Sequence, residues 1–330
     1  MRTTRTAAAL LAVLALAVAG CSTSGGKKSE DEPAGSGSGK GVTTPRLKIA
    51  MVSHSGQGDT FWDIVQSGAK QAAAKDNVQF LYSASEQGNE QAQLVQAAID
   101  QKVDGIVVTL AKPDAVKAVV KKAVRAGIPV ITINSGGQYS KEVGALGHIG
   151  QDESVAGEAV GDELNARGRK KAVCVIHEQG NVSLEDRCAG VKKTFKGAVE
   201  NLNVDGTNTP ATTSSIEAKL QAGKDIDAVV TLGAPIADAA VKAKKDADST
   251  AEIDTFDLNA AVVKSLKAKD IGFAVDQQPY LQGYLAIDEL WLHKTNLNVL
   301  GGGKPVLTGP AIVTGKDVPA LEKYTARGTR

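Results

Sequence analysis

The side chains best suited to chemistry in this chain are four histidines, three cysteines and two glycine-rich loops. His54, His148, His177 and His293 are scattered without the spacing of metal ligands, and His177-Glu178 lacks the second His of a zinc-binding helix. Gly56-Gln57-Gly58 follows a strand pattern as a dinucleotide fingerprint would, but Phe61 stands where the third glycine belongs. The run Gly35 to Lys40 approaches a phosphate loop, yet Gly41 replaces the required Ser or Thr and no strand precedes it. No nucleophile elbow is present. These patterns argue against catalysis, and no cofactor and no metal site are expected.

The cysteines point elsewhere. Arg2 and Arg5 precede a short apolar run over 7–18, the length of a signal-peptide core and too short for a retained span. The run ends in Val18-Ala19-Gly20-Cys21, which resembles a bacterial lipobox, where cleavage precedes the Cys and its thiol carries lipid. Residues 1–20 are then a lipoprotein signal peptide and Cys21 the lipid attachment site. Residues 21–45 are polar and rich in Gly and Ser, too poor in apolar surface to offset the entropy of ordering. They read as a flexible tether, and the mature protein as extracytoplasmic, touching the membrane only through its lipid.

Cys174 and Cys188 are 14 residues apart, one in a strand pattern and one at the start of the next helix pattern. An exported location permits a disulfide between them, and closing that loop is worth roughly 3 kcal/mol on the chain-entropy model. The bridge is favoured over two buried thiols.

After the tether about 285 residues remain, enough for two domains. The net charge is +1, with no basic block and few aromatics, which argues against a nucleic-acid partner. Short β-branched runs at 47–52, 78–82, 105–109, 129–133, 172–176, 228–232 and 271–275 predict strands. Amphipathic segments at 61–75, 90–101 and 114–126 predict helices between them; Phe61, Val65, Ala69 and Ala72 make one apolar face. Continuous apolar strands separated by such helices predict α/β structure with parallel sheets covered on both faces. Ligands of such sheets bind at the carboxyl ends of the strands.

The residues at those ends carry a resemblance. Ser53-His-Ser-Gly-Gln-Gly-Asp-Thr-Phe-Trp62, Ile128-Pro-Val-Ile-Thr-Ile-Asn-Ser135, Gly147-His-Ile-Gly-Gln-Asp152, Asp186-Arg-Cys-Ala-Gly190, Thr255-Phe-Asp257 and Val275-Asp-Gln-Gln-Pro-Tyr-Leu-Gln-Gly283 follow one another in order. From about residue 46 onward the chain resembles the ribose-binding type of periplasmic sugar-binding protein, the solute-binding lipoproteins of ABC transporters. The resemblance implies a type 1 periplasmic-binding-protein fold: two Rossmann-like lobes joined by a three-crossover hinge that closes on a sugar. One lobe would hold 46–151 and about 279–309, the other 152–278 and about 310–330. The crossovers would lie near Gln151-Asp152, Gln277-Gln278 and Gly309-Pro310.

The same resemblance assigns ligand-binding roles. Phe61 and Trp62 would pack on a sugar's C–H faces, unless both serve only the core. Arg187 would fork across two hydroxyls, unless it pairs with Glu185 or Asp186. Asp257 would accept hydroxyls, unless it caps the following helix. Gln277 would bind from the second crossover, unless it is purely a hinge residue. Asp59, Asn134 and Asp152 complete the expected set.

Departures from the ribose pattern shape the ligand. Asn134 and Ser135 replace an Asp-Arg pair, Gly233 and Ala234 replace Asn-Asp, and Asp59 stands where an Asn is usual. Ribose itself is therefore not expected. One Arg among several acids suits a neutral sugar, polyol or cyclitol better than a phosphate or dicarboxylate. The expected protein is a monomer that delivers this ligand to an ABC permease. A ligand sensor that presents its closed form to a membrane receptor is the alternative.

Overall fold

The computed structural model describes residues 44–56 and 59–330. The signal peptide, Cys21 and most of the tether lie outside the described residues. Thr44, assigned to the tether, is held: its hydroxyl accepts the Trp291 indole N–H at 3.2 Å.

In chain order the first lobe contains β1 (Lys48–Ser53), α1 (Thr60–Lys75), β2 (Gln79–Ala84), α2 (Gly88–Asp100), β3 (Gly105–Val108), α3 (Pro113–Arg125), β4 (Val130–Ile133) and β5 (Gly147–Gly150). The second contains α4 (Glu153–Ala166), β6 (Lys171–Ile176), α5 (Val182–Thr194), β7 (Ala198–Asn203) and α6 (Thr209–Ala222). It continues with β8 (Ala228–Thr231), α7 (Ala234–Asp246), β9 (Glu252–Phe256), α8 (Ala260–Ala268) and β10 (Phe273–Asp276). The chain then returns to the first lobe for α9 (Pro279–Asn296) and β11 (Val306–Leu307), and ends in the second with β12 (Ala311–Thr314) and α10 (Val318–Ala326).

Each lobe is a six-stranded sheet, ordered β11-β5-β4-β3-β1-β2 in the first and β12-β10-β9-β8-β6-β7 in the second. All pairings are parallel except β10 with β12. The strands read as continuous apolar runs because both faces are covered. Ile49 and Met51 of β1 face α1 and α9, packing with Val65, Ala69 and Ile287. The alternate residues Ala50 and Val52 face α2 and α3, packing with Val95, Val116 and Val120. The second lobe repeats this: Cys174 and Ile176 face Leu184 and Val191 of α5, while Val173 and Val175 face Ile216 of α6 and Ala237 of α7. This is the two-lobed, doubly covered α/β architecture expected from the sequence.

Small residues set the closest helix contacts. In the second lobe, Gly157 of α4 and Gly190 of α5 face each other, and a side chain at either would run into the opposing backbone. At Gly157 the obstacle is the Arg187 carbonyl, so this crossing fixes where the α5 arginine sits. Gly68 of α1 and Gly283 of α9 make the same contact in the first lobe. Cys174 and Cys188 are bridged, with Cα atoms 5.9 Å apart, tying β6 to α5 on the same face.

The chain crosses between lobes after β5, after β10 and after β11. The crossovers touch one another. A Cβ at Gly309 would stand 2.8 Å from the Asp276 carbonyl and 3.1 Å from Gln151 Oε1. Gly309-Pro310 is a cis peptide. Among the described residues, no helix is long and apolar enough to cross a membrane, and no group of three acidic, His or Cys side chains is arranged to hold a metal.

Candidate functional site

The carboxyl ends of the two sheets face each other across a cleft, and the loops that follow the strands line one cavity from both sides. From the first lobe come His54 after β1, Asp59, Phe61 and Trp62 at the start of α1, and Asn134 after β4. From the second come His177 after β6, Arg187 of α5 and Asp257 after β9, with Gln277 at the crossover. Seven of the eight residues singled out in the sequence, all but Asp152, line this cavity.

Asp152 is a correction. It is exposed, it N-caps α4 by accepting the Val155 N–H at 3.0 Å, and it does not line the cavity. Capping accounts for its position, because the first amides of a helix have no partner within it.

Asp59 caps a helix and also lines the cavity. Its Oδ1 accepts the Phe61 N–H at 3.0 Å and caps α1, and burial pushes its carboxyl up to about 6 against that bond. Phe61 and Trp62 stand edge to face, with centroids 5.2 Å apart. Both belong to the core with Val65 and Ala69 and also line the cavity. His54 packs edge-on against Trp62, and its Nδ1 is hydrogen-bonded to Thr109 Oγ1 at 2.9 Å. Burial holds its pKa below the ordinary value, against the pull of Glu178.

Arg187 does not pair with Glu185 or Asp186. It meets buried Glu153 at the start of α4: Nε donates to Oε2 at 2.6 Å and Nη2 to Oε1 at 3.0 Å. Nη1 donates to the Leu232 carbonyl at 3.1 Å, and the guanidinium lies over the Phe256 ring, 4.6 Å from its centroid. A guanidinium has five N–H donors. Three are used, leaving one on each terminal nitrogen for whatever enters the cavity.

Gln277 joins the lobes. Its Nε2 donates to Asp257 Oδ1 at 2.6 Å, and its Oε1 accepts from Asn134 Nδ2 at 3.1 Å. Asp257 does not cap α8, a role taken by Asn259. It sits at φ 70°, turned into the cavity, and burial pushes its carboxyl up to about 7 despite Arg187 and Gln277.

Several lining residues were not singled out from sequence. His177 is the most telling. Burial pushes its pKa down to about 4, and its Nδ1 has no hydrogen-bond partner among the described residues. The ring lies beside Gly206 and Gly233, where a Cβ would stand 3.1 Å and 3.2 Å from it. The imidazole therefore occupies the space beside Gly233. Both His54 and His177 directly follow strands, which is the signal that identifies them. Glu178 and Ser183 line the same wall.

The lobes also touch around the cavity. The Val182 N–H donates to the Ala111 carbonyl at 3.1 Å, Lys112 Nζ lies 3.1 Å from Glu178 Oε1, and Gln138 Nε2 donates to Asp186 Oδ2 at 3.1 Å. The structure describes the closed arrangement.

The cavity is a buried cleft between two α/β lobes, lined from both sides by hydrogen-bonding groups. Residues 49–296 match the family model described as a periplasmic binding protein domain. The chain belongs to that family. A periplasmic binding protein is a substrate-binding protein, not an enzyme, and works outside the cytoplasmic membrane.

This periplasmic binding protein is similar to a solved carbohydrate transporter from Acidothermus cellulolyticus in complex with myo-inositol. The two are 49% identical with a TM-score of 0.86, covering 87% of this chain and 100% of that one. It is also similar to an ABC transporter solute-binding protein from Burkholderia graminis in complex with D-arabinose, at 25% identity and a TM-score of 0.73 over 82% and 96% of the two chains. A xylose/arabinose-binding protein of Sulfolobus acidocaldarius is 25% identical over 274 residues, 76% of this chain. The match spans 66% of that relative's length.

Proposed function

We propose that this protein captures a neutral, ring-shaped polyhydroxy compound, a cyclitol such as myo-inositol or a monosaccharide, and delivers it to an ABC importer. The observation that carries this reading is the pairing of Arg187 with Asp257 on one wall and Phe61 with Trp62 on the other. Arg187 keeps two N–H donors for adjacent hydroxyls, and the Asp257 carboxyl accepts from them. The aromatic pair supplies apolar area for C–H faces. The other carboxylates on the lining, Asp59, Glu86 and Glu178, make the cavity unfavourable for anions. The 49% identical transporter bound to myo-inositol supports the cyclitol within this class.

Delivery follows from shape. A ligand that touches both walls binds the closed form better and shifts the population toward it, and the changed placement of the lobes is what a permease distinguishes. Lipid on Cys21 would keep the protein beside that permease, and as a monomer it would present both lobes.

A thermal-shift screen of the disulfide-intact protein against cyclitols, pentoses, hexoses, linear polyols, phosphate and dicarboxylates tests the ligand class. A ligand at a hundred times its Kd adds roughly 2.7 kcal/mol. Stabilisation by myo-inositol or another neutral ring is expected; stabilisation by anionic compounds alone would overturn the reading.

A further inference from the structure

Asp276 ends β10 at the second crossover and is fully buried, at 0% exposure. A buried carboxylate needs a partner, because its desolvation is otherwise uncompensated. One oxygen, Oδ1, accepts the Gln278 N–H at 2.9 Å. The other, Oδ2, lies 2.6 Å from Nη2 of Arg330, which reaches in from beyond α10. Arg330 Nη1 also donates to Gln278 Oε1 at 3.4 Å. The arginine thus holds the residues on both sides of Gln277.

The backbone held in this way is unusual. Gln278 has φ 55° and ψ 61°, a left-handed conformation uncommon for a residue other than glycine. Its side chain donates to the Thr308 carbonyl at 2.8 Å, linking the second crossover to the third. Gln277, between these fixed points, bridges Asn134 of the first lobe and Asp257 of the second.

We propose that Arg330 is a positioning residue of the hinge: by neutralising Asp276 it fixes the crossover on which Gln277 joins the ligand-binding side chains of the two lobes. The link to ligand affinity rests on the proposed polyol site; the effect on the crossover does not. Removing the guanidinium leaves Asp276 charged and buried, which drives the segment toward conformations that admit water. Asp276→Asn removes the charge while the amide oxygen still accepts the Gln278 N–H, so that background no longer needs Arg330.

The test is a double-mutant cycle on the full chain with Arg330→Ala, Asp276→Asn and the double variant. Hydrogen exchange of a peptide spanning 276–283 is measured without ligand, and the Kd for myo-inositol by calorimetry. Arg330→Ala is expected to speed exchange in that segment at least tenfold and weaken binding at least fivefold. In the Asp276→Asn background, Arg330→Ala should change neither by more than twofold. Wild-type exchange in Arg330→Ala would overturn the proposal, as would equal losses in both backgrounds, which would mean that Arg330 acts through packing. Should Arg330→Ala fail to fold, recovery of folding in the double variant supports the proposal and continued failure overturns it. If wild-type protein does not bind myo-inositol while the exchange cycle behaves as stated, the ligand assignment fails and the hinge role stands.

Discussion

Glu153 and Arg187, joined through two hydrogen bonds at 2.6 and 3.0 Å, are both buried, with Arg187 on the cavity wall. Glu153 opens α4 immediately after the first crossover, so the side chain expected to grip a hydroxyl is held by the hinge end of its own lobe. Breaking a buried pair by removing one partner typically costs about 3–5 kcal/mol. Arg187→Ala is therefore expected to lower stability by about that amount in urea denaturation. Adding Glu153→Gln should recover most of the stability and none of the affinity, because the uncompensated charge is gone but the donors are not restored.

Asp257 predicts a specific pH dependence. Burial pushes its carboxyl from the ordinary 3.8 up to about 7 in the folded protein. Between those values the folded chain holds a proton that the unfolded chain releases, so this residue lowers stability as pH rises through the window. The ligand-free Asp257→Asn variant has no such group. Its thermal stability relative to wild type is expected to grow from pH 4 to pH 7 and then level off, by a few kcal/mol in all, on the order set by the linkage relation. A difference constant across that range would show that the carboxyl is not perturbed.

The Cys174–Cys188 bridge closes a loop with a sequence separation of 14 and abuts Arg187. Replacing both cysteines by Ala should lower stability by about 3 kcal/mol, the chain-entropy value for a loop of this size. Denaturation with and without reductant checks this: reductant should shift wild type and leave the double variant unchanged.

Anchoring is tested at the other end of the chain. Cys21→Ser is expected to leave the protein unprocessed or to release it from the membrane fraction. Mass spectrometry of the membrane fraction reads the outcome, and unchanged attachment with an unlipidated Cys21 would refute the lipobox assignment.

Much of this was legible in the sequence because parallel sheets write themselves plainly. Both faces of β1, β3 and β6 are covered, so their strands are unbroken apolar runs, and the residues just beyond them had to face the cleft. The less apolar β7, at a sheet edge, and the four-residue β5 carry weaker signals. Asp152 was misplaced because an acid between strand and helix has two available roles, and sequence does not rank them. His177 was passed over as an isolated histidine. Its setting depends on Gly206 and Gly233, which only the fold brings together. Glu153 likewise becomes visible as the partner of Arg187 only when α4 and α5 cross at their glycines.

The most direct test of the account is a calorimetric titration of myo-inositol into wild-type, Arg187→Ala and Asp257→Ala protein at pH 8. Charge-assisted hydrogen bonds contribute about 1.5–3 kcal/mol each. Wild type is expected to bind with one site per chain, and each variant to lose at least roughly tenfold in affinity while remaining folded. Wild-type affinity in both variants would contradict the proposed site and, with it, the capture of a polyol between these two walls.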